Sequence, residues 1–296
     1  MIAGFATRRV LTEEAEILIE IGGGGPPLLL LHGYPETHAC WHKVAPHLAH
    51  DFTVVCPDLR GYGESRFTGT ETPDHAAYSK RAMARDQVAV MAALGFERFA
   101  VAGHDRGGRT AYRLALDHPA RVTRLAVLDI VPTLEMFERM DARSALSAYH
   151  WLFLAQPFDL PERLIGAAPD FYLDWTVRSW LGAGATLAPG AMDAYRHAFR
   201  VPAVIHAACE DYRAGATLDC DADRADREAG RRIACPVLAL WGGGRTVGAA
   251  ATDPIATWRR WADRVEGAPI DCGHFLPEEA PDAVADALRR FFAAPE

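Results

Sequence analysis

The sequence of 296 residues has little that would mark a secreted, zinc-bound or membrane-spanning protein. Its six cysteines are scattered and form no Cys-x-x-Cys pair, which disfavours a disulfide framework and a zinc site and fits a reducing compartment. No apolar run approaches the roughly 20 residues of a membrane span, and the first residues lack the basic-then-apolar pattern of a signal peptide. A cytoplasmic location is therefore expected.

The sequence also lacks an excess of positive charge. The formal net charge is -8 and the pI is about 5.8, which disfavours nucleic acid or an anionic membrane as a partner. Half of the residues are apolar and 24% are charged, as in a globular protein. An acidic ligand would need local positive charge to bind.

Short apolar runs alternate with segments of helical spacing. This alternation predicts a mainly parallel, doubly wound α/β sheet with helices on both faces. The predicted strands are 17–21, 27–31, 53–56, 98–102, 125–130, 237–241 and 264–270, and the predicted helices are 79–94, 107–118 and 281–292.

One interval breaks this alternation. Residues 131–216 are rich in Trp, Tyr, Phe and Leu and are typical of helices broken by prolines, with no convincing strand. The interval follows the strand that ends at Ile130. We therefore predict a helical cap at 131–216, inserted into a core made of residues 1–130 and 217–296.

A sharp turn follows the strand that ends at Ala102. The residues Gly103-His104-Asp105-Arg106-Gly107 fit the G-x-nucleophile-x-G pattern, in which glycines allow a strained turn between a strand and a helix. Asp105 occupies the position of the nucleophile. The alternative is that Asp105 only caps the following helix, because Asp is a favoured residue at that position.

Two further residues are candidates for a catalytic triad with Asp105. His274 lies in the loop after the last predicted strand, where such a fold places its base. Asp129 ends the strand 125–130 and is the predicted acid that orients His274. The other common place for this acid, after the strand 237–241, holds the residues Gly242-Gly243-Gly244-Arg245-Thr246-Val247 and no carboxylate.

These motifs carry a family resemblance that covers nearly the whole chain. The elbow, the residues His32-Gly33-Tyr34-Pro35 and the loop Asp58 to Ser65 resemble the α/β-hydrolase superfamily in its aspartate-nucleophile branch. That branch contains epoxide hydrolases, haloalkane dehalogenases and haloacetate (fluoroacetate) dehalogenases. The resemblance implies that Tyr34 belongs to the oxyanion region of the pocket.

The residues next to Asp105 favour one member of this branch. A carboxylate nucleophile suits attack on saturated carbon, since the ester that forms can be cleaved by water. Arg106 and Arg109, one helical turn apart, could hold a substrate carboxylate. Haloacetate dehalogenases resemble this pattern, whereas haloalkane dehalogenases usually carry Asn and Trp where this chain has Tyr34 and Arg106. Alternatively, the arginines only pair with acids such as Asp58, Glu64 or Asp86.

The resemblance also implies a halide pocket in the cap. The family uses a His-Trp pair and a later Tyr, which here are His150, Trp151 and Tyr212. Indole N–H and phenol O–H groups are suitable donors to a departing halide. The expected ligands are a small haloacid and a halide ion, with no metal and no organic cofactor, and the family resemblance suggests a homodimer.

Two other functions stay open from the sequence. An epoxide hydrolase would use the same triad and two cap tyrosines, and Tyr149 and Tyr212 are the candidates. Arg106 would then have no evident task, because an epoxide is neutral. A catalytically inactive receptor on this fold is disfavoured by the presence of Asp105, Asp129 and His274 together.

Overall fold

The computed structural model describes residues 2–243 and 253–294. The nine strands in these residues form one sheet. In chain order they are β1 Ala6–Leu11, β2 Ala15–Gly23, β3 Pro27–Leu31, β4 Thr53–Pro57, β5 Arg66–Phe67, β6 Phe99–His104, β7 Val122–Leu128, β8 Val237–Gly242 and β9 Val265–Ile270.

The spatial order is β1-β2-β4-β3-β6-β7-β8-β9, with β5 paired to β2. The strands from β4 to β9 along this order are parallel, and β1 and β2 form an antiparallel edge. The predicted mostly parallel α/β sheet is confirmed. Every residue of the central strand β6 is buried, because helices cover both faces there.

The helices include the three that the sequence predicts. The described residues hold α1 Ala45–Leu48, α2 Lys80–Ala93, α3 Asp105–Asp117, α4 Thr133–Glu138, α5 Ala142–Ser147, α6 Tyr149–Leu154, α7 Leu160–Ala167, α8 Pro169–Trp180, α9 Pro189–Phe199, α10 Pro202–Ala214, α11 Cys220–Glu228, α12 Pro254–Trp258, α13 Leu276–Glu279 and α14 Pro281–Ala293. No helix in this part of the chain is long and apolar enough to cross a membrane.

Helices α4 to α11 all lie between β7 and β8 in the sequence. The π-helical turn Gly215–Asp219 joins α10 to α11, so the proposed cap boundary at 216 falls inside a continuous helical segment. Beyond it, the Asp223 carboxylate accepts a hydrogen bond from Tyr112 of α3 at 2.9 Å. The helical insertion therefore continues to Glu228, and its division into cap and core stays a proposal.

The parallel strands position the candidate site. Tyr34, Asp105, Asp129 and His274 all follow the carboxyl ends of strands, namely β3, β6, β7 and β9. In a parallel sheet these ends meet at one edge, which is where ligands bind in open α/β folds.

Candidate active site

Asp105 is the first residue of α3 and directly follows β6. Its φ is 44°, in the left-handed region that side chains rarely adopt. The two flanking glycines make the turn possible. A Cβ on Gly103 would lie 2.4 Å from the Gly107 carbonyl oxygen, and a Cβ on Gly107 would lie 2.4 Å from that of His32. The strained turn places the Asp105 carboxylate at the edge of the sheet, where it is buried.

The two oxygens of the Asp105 carboxylate have different neighbours. Oδ1 accepts a hydrogen bond from the Tyr34 backbone N–H at 2.8 Å, and Oδ2 lies 4.0 Å from His274 Nε2. Burial raises the pKa of Asp105, but the charges of His274, His104, Arg109 and Arg106 outweigh it and hold the pKa well below its usual range. The carboxylate is therefore ionised at neutral pH.

His274 is paired with Asp129. Its Nδ1 lies 2.6 Å from Asp129 Oδ2, while Asp129 Oδ1 accepts the Gly242 backbone N–H at 3.1 Å. The backbone of His274 is also held, since its N–H donates to the Trp180 carbonyl at 3.0 Å. A carboxylate oxygen accepts, so the Nδ1 N–H of His274 donates to Asp129 and Nε2 is the ring nitrogen that faces Asp105.

A second histidine, His104, lies beside the nucleophile. Its Nδ1 is 2.7 Å from Glu36 Oε2, and its Nε2 is 2.8 Å from the backbone oxygen of His274. Burial lowers the pKa of His104, but the Glu36 carboxylate more than offsets it and raises the pKa to about 9. Both ring nitrogens therefore donate, and His104 connects the elbow to the His274 loop. This pair was not predicted from the sequence.

Arg106 is paired with an acid that was not predicted from the sequence. Its Nε and Nη2 donate to the Asp211 carboxylate at 2.9 and 2.5 Å, and Nη2 also donates to the Asp211 backbone oxygen at 2.8 Å. Nη1 is buried and has no hydrogen-bond partner among the described residues.

The acids that the sequence offered as partners of the arginines bind other residues. Asp58 pairs with His38, Asp86 with Arg60 and Glu64 with Arg9. Arg106 therefore does pair with an acid of the chain, as the alternative for the arginines states, but the acid is Asp211, which is distant in sequence. Its position directly before Tyr212 is the only sequence signal that could have pointed to it.

Arg109 has no carboxylate partner among the described residues. Its Nη1 donates to the Val131 carbonyl at 2.9 Å and to Thr133 Oγ1 at 3.3 Å. Its Nε is buried without a partner, and no described residue accepts a hydrogen bond from its Nη2. Burial, and then the charge of Arg106, lower the pKa of Arg109. The guanidinium thus has one edge, formed by Nε and Nη2, with no acceptor among the described residues.

The three predicted halide ligands lie together above the arginines. The ring centroids of His150 and Trp151 lie 5.7 and 5.8 Å from that of Tyr212, and the Arg109 guanidinium carbon is 4.4 Å from the Trp151 ring. Tyr212 Oη and His150 Nδ1 are buried and have no hydrogen-bond partner in the described chain.

Burial keeps both of these groups neutral. It lowers the pKa of His150 to about 3 and, together with the charge of Asp105, raises the pKa of Tyr212 well above its usual value. Tyr212 is therefore a hydrogen-bond donor at any ordinary pH, and His150 carries one ring hydrogen on Nδ1 or Nε2.

Aromatic rings form the wall of the site. The Tyr34 ring stacks on His150 at 6.4 Å and meets Tyr212 edge-on at 5.3 Å, and the Trp180 ring lies 4.4 Å from His150. Trp180 was not predicted. Within residues 2–243 and 253–294, no group of three or more His, Cys, Asp or Glu side chains is placed to hold a metal ion.

Tyr149, the second tyrosine of the epoxide alternative, is half-buried on α6. Its ring contacts are with His150, Phe153 and Trp175, and it makes none with Tyr212. The structure thus brings together Asp105, Asp129, His274, Arg106, Arg109, His150, Trp151, Tyr212 and Tyr34, and it does not bring Tyr149 beside Tyr212.

Comparisons with known proteins agree with this architecture. The family model of the α/β hydrolase fold matches residues 26–281. The fluoroacetate dehalogenase of Burkholderia sp is 45% identical, over 99% of this chain and 95% of its own. The soluble epoxide hydrolase of Corynebacterium sp. (strain C12) is 34% identical, over 92% and 91%. The crystal structure of ALR0039 from Nostoc sp PCC 7120 is 50% identical, covers 100% of both chains and has a TM-score of 0.96.

Proposed function

The chain belongs to the α/β-hydrolase family, in its fluoroacetate dehalogenase-like branch, and we propose that it hydrolyses the carbon–halogen bond of short 2-haloacids. Haloacetate would give glycolate and a halide ion through an ester on Asp105. One observation carries this proposal. Around an ionised Asp105 lie four buried polar atoms that have no hydrogen-bond partner among the described residues, namely Arg106 Nη1, Arg109 Nε, His150 Nδ1 and Tyr212 Oη.

A buried polar atom without a hydrogen-bond partner destabilises the folded protein. A ligand that supplies the partner removes this cost, which makes its free energy of binding more favourable. Two of the four belong to guanidinium groups, which suit a carboxylate. The other two belong to neutral rings, which can bind a halide without leaving an unpaired charged side chain buried in the empty site. The four atoms therefore support a ligand that carries a carboxylate at one end and a halogen at the other.

The carboxylate of the substrate is assigned to the two arginines. Arg109 offers the edge formed by Nε and Nη2, and Arg106 adds Nη1. Since Arg109 is one helical turn beyond Asp105, a carboxylate held there leaves the adjacent carbon close to the nucleophile.

Asp105 Oδ2 is the oxygen assigned to the attack on carbon. Oδ1 is already held by the Tyr34 N–H at 2.8 Å. As the C–O bond forms, the carbon–halogen bond breaks and the halide leaves with its electron pair toward His150, Trp151 and Tyr212. Hydrogen bonds from these rings stabilise the charge that develops on the halogen.

Hydrolysis of the ester returns the enzyme to its starting state. His274 Nε2 removes a proton from water, which attacks Cγ of Asp105, and Asp129 stabilises the imidazolium that forms. The charge that develops on Oδ1 is stabilised by the Tyr34 N–H. Collapse of the intermediate breaks the Cγ–Oδ2 bond, and the imidazolium of His274 returns its proton to the departing alkoxide, which leaves as glycolate. Asp105 then holds one oxygen from water and loses the remaining proton to solvent, which regenerates the carboxylate.

Epoxide hydrolysis is the second candidate, and similarity to the Corynebacterium enzyme favours it. It requires proton donors to the opening oxygen, and in this chain only Tyr212 of the two candidate tyrosines lies in the site. A buried pair of arginines beside the nucleophile also has no role toward a neutral epoxide.

Halide and glycolate formation from fluoro-, chloro- and bromoacetate tests the proposal, beside diol formation from a neutral terminal epoxide. We expect turnover of at least one haloacetate and little of the epoxide. The Asp105→Asn variant is the matched inactive control. Turnover of the epoxide with no halide release from any haloacetate would establish the second candidate instead.

A further inference from the structure

The Asp211 carboxylate, on α10, has no part in the reaction proposed above, yet it is completely buried. Three side chains donate to it. Arg106 binds both of its oxygens, the Tyr62 hydroxyl donates to Oδ2 at 2.8 Å, and the Lys80 ammonium contacts Oδ1. One carboxylate is thus shared by two buried cations and a phenol.

These contacts determine which part of Arg106 is available to a ligand. Nε and Nη2 are both occupied by Asp211, and the rigid guanidinium plane then fixes the direction of Nη1. The guanidinium carbon lies 4.2 Å from the Tyr212 ring centroid, so the plane is held against the aromatic wall of the site. Nη1 is the one nitrogen of Arg106 with no partner in the described chain.

Asp211 is itself held by Lys80, whose own position is fixed by the backbone. Lys80 begins α2, and its backbone N–H donates to Asp219 at 2.9 Å, in the π-helical turn that follows α10. The turn also approaches the guanidinium, because a Cβ on Gly215 would lie 3.1 Å from Arg106 Nη2. Burial raises the pKa of Asp211, and Arg106 and Lys80 outweigh this and lower it. Asp211 therefore stays ionised.

From this geometry we propose that Asp211 is a positioning residue that makes the site selective for carboxylates. It acts through Arg106, by directing Nη1 toward the ligand. Tyr62 and Lys80 hold Asp211 in place. This inference rests on the proposed function, because it deepens the role of the arginine pair as the carboxylate subsite.

Two inhibitors separate a positioning role from a general structural one. Acetate has the carboxylate of the substrate and no leaving group, whereas bromide ion reports on the halide pocket. Their inhibition constants against chloroacetate turnover are measured for each variant. Asp211→Asn should weaken inhibition by acetate about tenfold or more, the range for a hydrogen bond to a charged group, and leave inhibition by bromide within about twofold.

A double-mutant cycle shows whether Asp211 acts through Arg106. In an Arg106→Met background, Asp211→Asn should have no further effect on inhibition by acetate. Additive effects, equal weakening of acetate and bromide, or unchanged inhibition by acetate would each overturn the proposal.

Loss of a carboxylate shared by two buried cations could prevent folding, so a milder variant is included. Tyr62→Phe removes one hydrogen bond to Asp211 and should weaken acetate about twofold to tenfold, with bromide unchanged. The matched control is Tyr195→Phe, which removes the hydroxyl bonded to another buried acidic side chain, Glu278, and should change neither constant. Equal results for both tyrosine variants would reject the role of Asp211. A wild-type protein that neither releases halide nor binds acetate would instead reject the proposed function.

Discussion

Replacing Arg109 by lysine should weaken substrate binding far more than it slows the chemical steps. Arg109 is buried, and its free edge consists of Nε and Nη2. A lysine keeps the positive charge but presents it as a single point on a flexible chain, without two parallel N–H groups. The variant therefore retains electrostatic attraction for a carboxylate and loses the geometry that orients it.

The magnitude follows from the contacts. A hydrogen bond to a charged group contributes about 1.5–3 kcal/mol, and each 1.4 kcal/mol is a factor of about ten in binding. Loss of one of the two bonds should raise KM for chloroacetate by about tenfold to a hundredfold. The Nη1 contacts to Val131 and Thr133 do not involve the Nε–Nη2 edge, and they anchor Arg109 to the start of the helical insertion. Their loss adds a cost to folding and little to KM.

Steady-state halide release over a range of chloroacetate concentrations gives KM and kcat for this variant. Arg60→Lys is the matched control, because Arg60 is also buried but binds Asp86 and contacts neither Asp105 nor the other arginines. A KM for Arg109→Lys within about twofold of the wild-type value would refute the assignment of Arg109 to the carboxylate. So would an equal change in the Arg60 variant.

Asp105→Asn should abolish halide release, since a neutral amide is not a nucleophile; sustained activity in protein shown by mass to be free of deamidation would contradict this. Trp151→Phe and Tyr212→Phe should each slow turnover of fluoroacetate more than that of bromoacetate, because fluoride concentrates its charge and gains most from a donated hydrogen bond, and equal slowing would mean that these residues only pack the site. Single-turnover halide release should be constant down to about pH 5, because neighbouring positive charges outweigh burial and hold the pKa of Asp105 well below its usual range; a decline centred above pH 5 would contradict that electrostatic account.

The parallel part of the sheet could be predicted from the sequence, because strands that are buried on both faces consist of short runs of apolar residues. Strand β1 was not predicted, because it is an exposed edge strand with two adjacent arginines and a single partner, β2. The sequence also suggested consecutive strands at 17–21 and 27–31, and in the structure β4 lies between them. Local patterns carry no information on which strands are neighbours.

The residues of the site likewise divide into those with a local sequence signal and those whose role depends on distant parts of the chain. Asp105 and His274 follow strands and sit in recognisable local motifs, so their positions could be predicted. Asp211 could not, because its role depends on a contact with Arg106, which lies 105 residues away in sequence. The same holds for the Glu36–His104 pair. The helix α3 also begins at Asp105 itself, two residues before the predicted start, because the elbow places the nucleophile within the first turn.

The most direct test of the account is the His274→Asn variant, because it separates the two chemical steps. Displacement of halide needs only the ionised Asp105 and the donors of the pocket. Hydrolysis of the ester needs a base within reach of water near Cγ, and Nε2 of His274 is the group that lies 4.0 Å from Asp105 Oδ2. After treatment with chloroacetate, the variant should release one halide per active site and then stop. Intact-mass analysis should show a carboxymethyl adduct, and peptide mapping should place it on Asp105. An unmodified variant that continues to turn over would contradict the covalent mechanism and the assignment of His274 as the base.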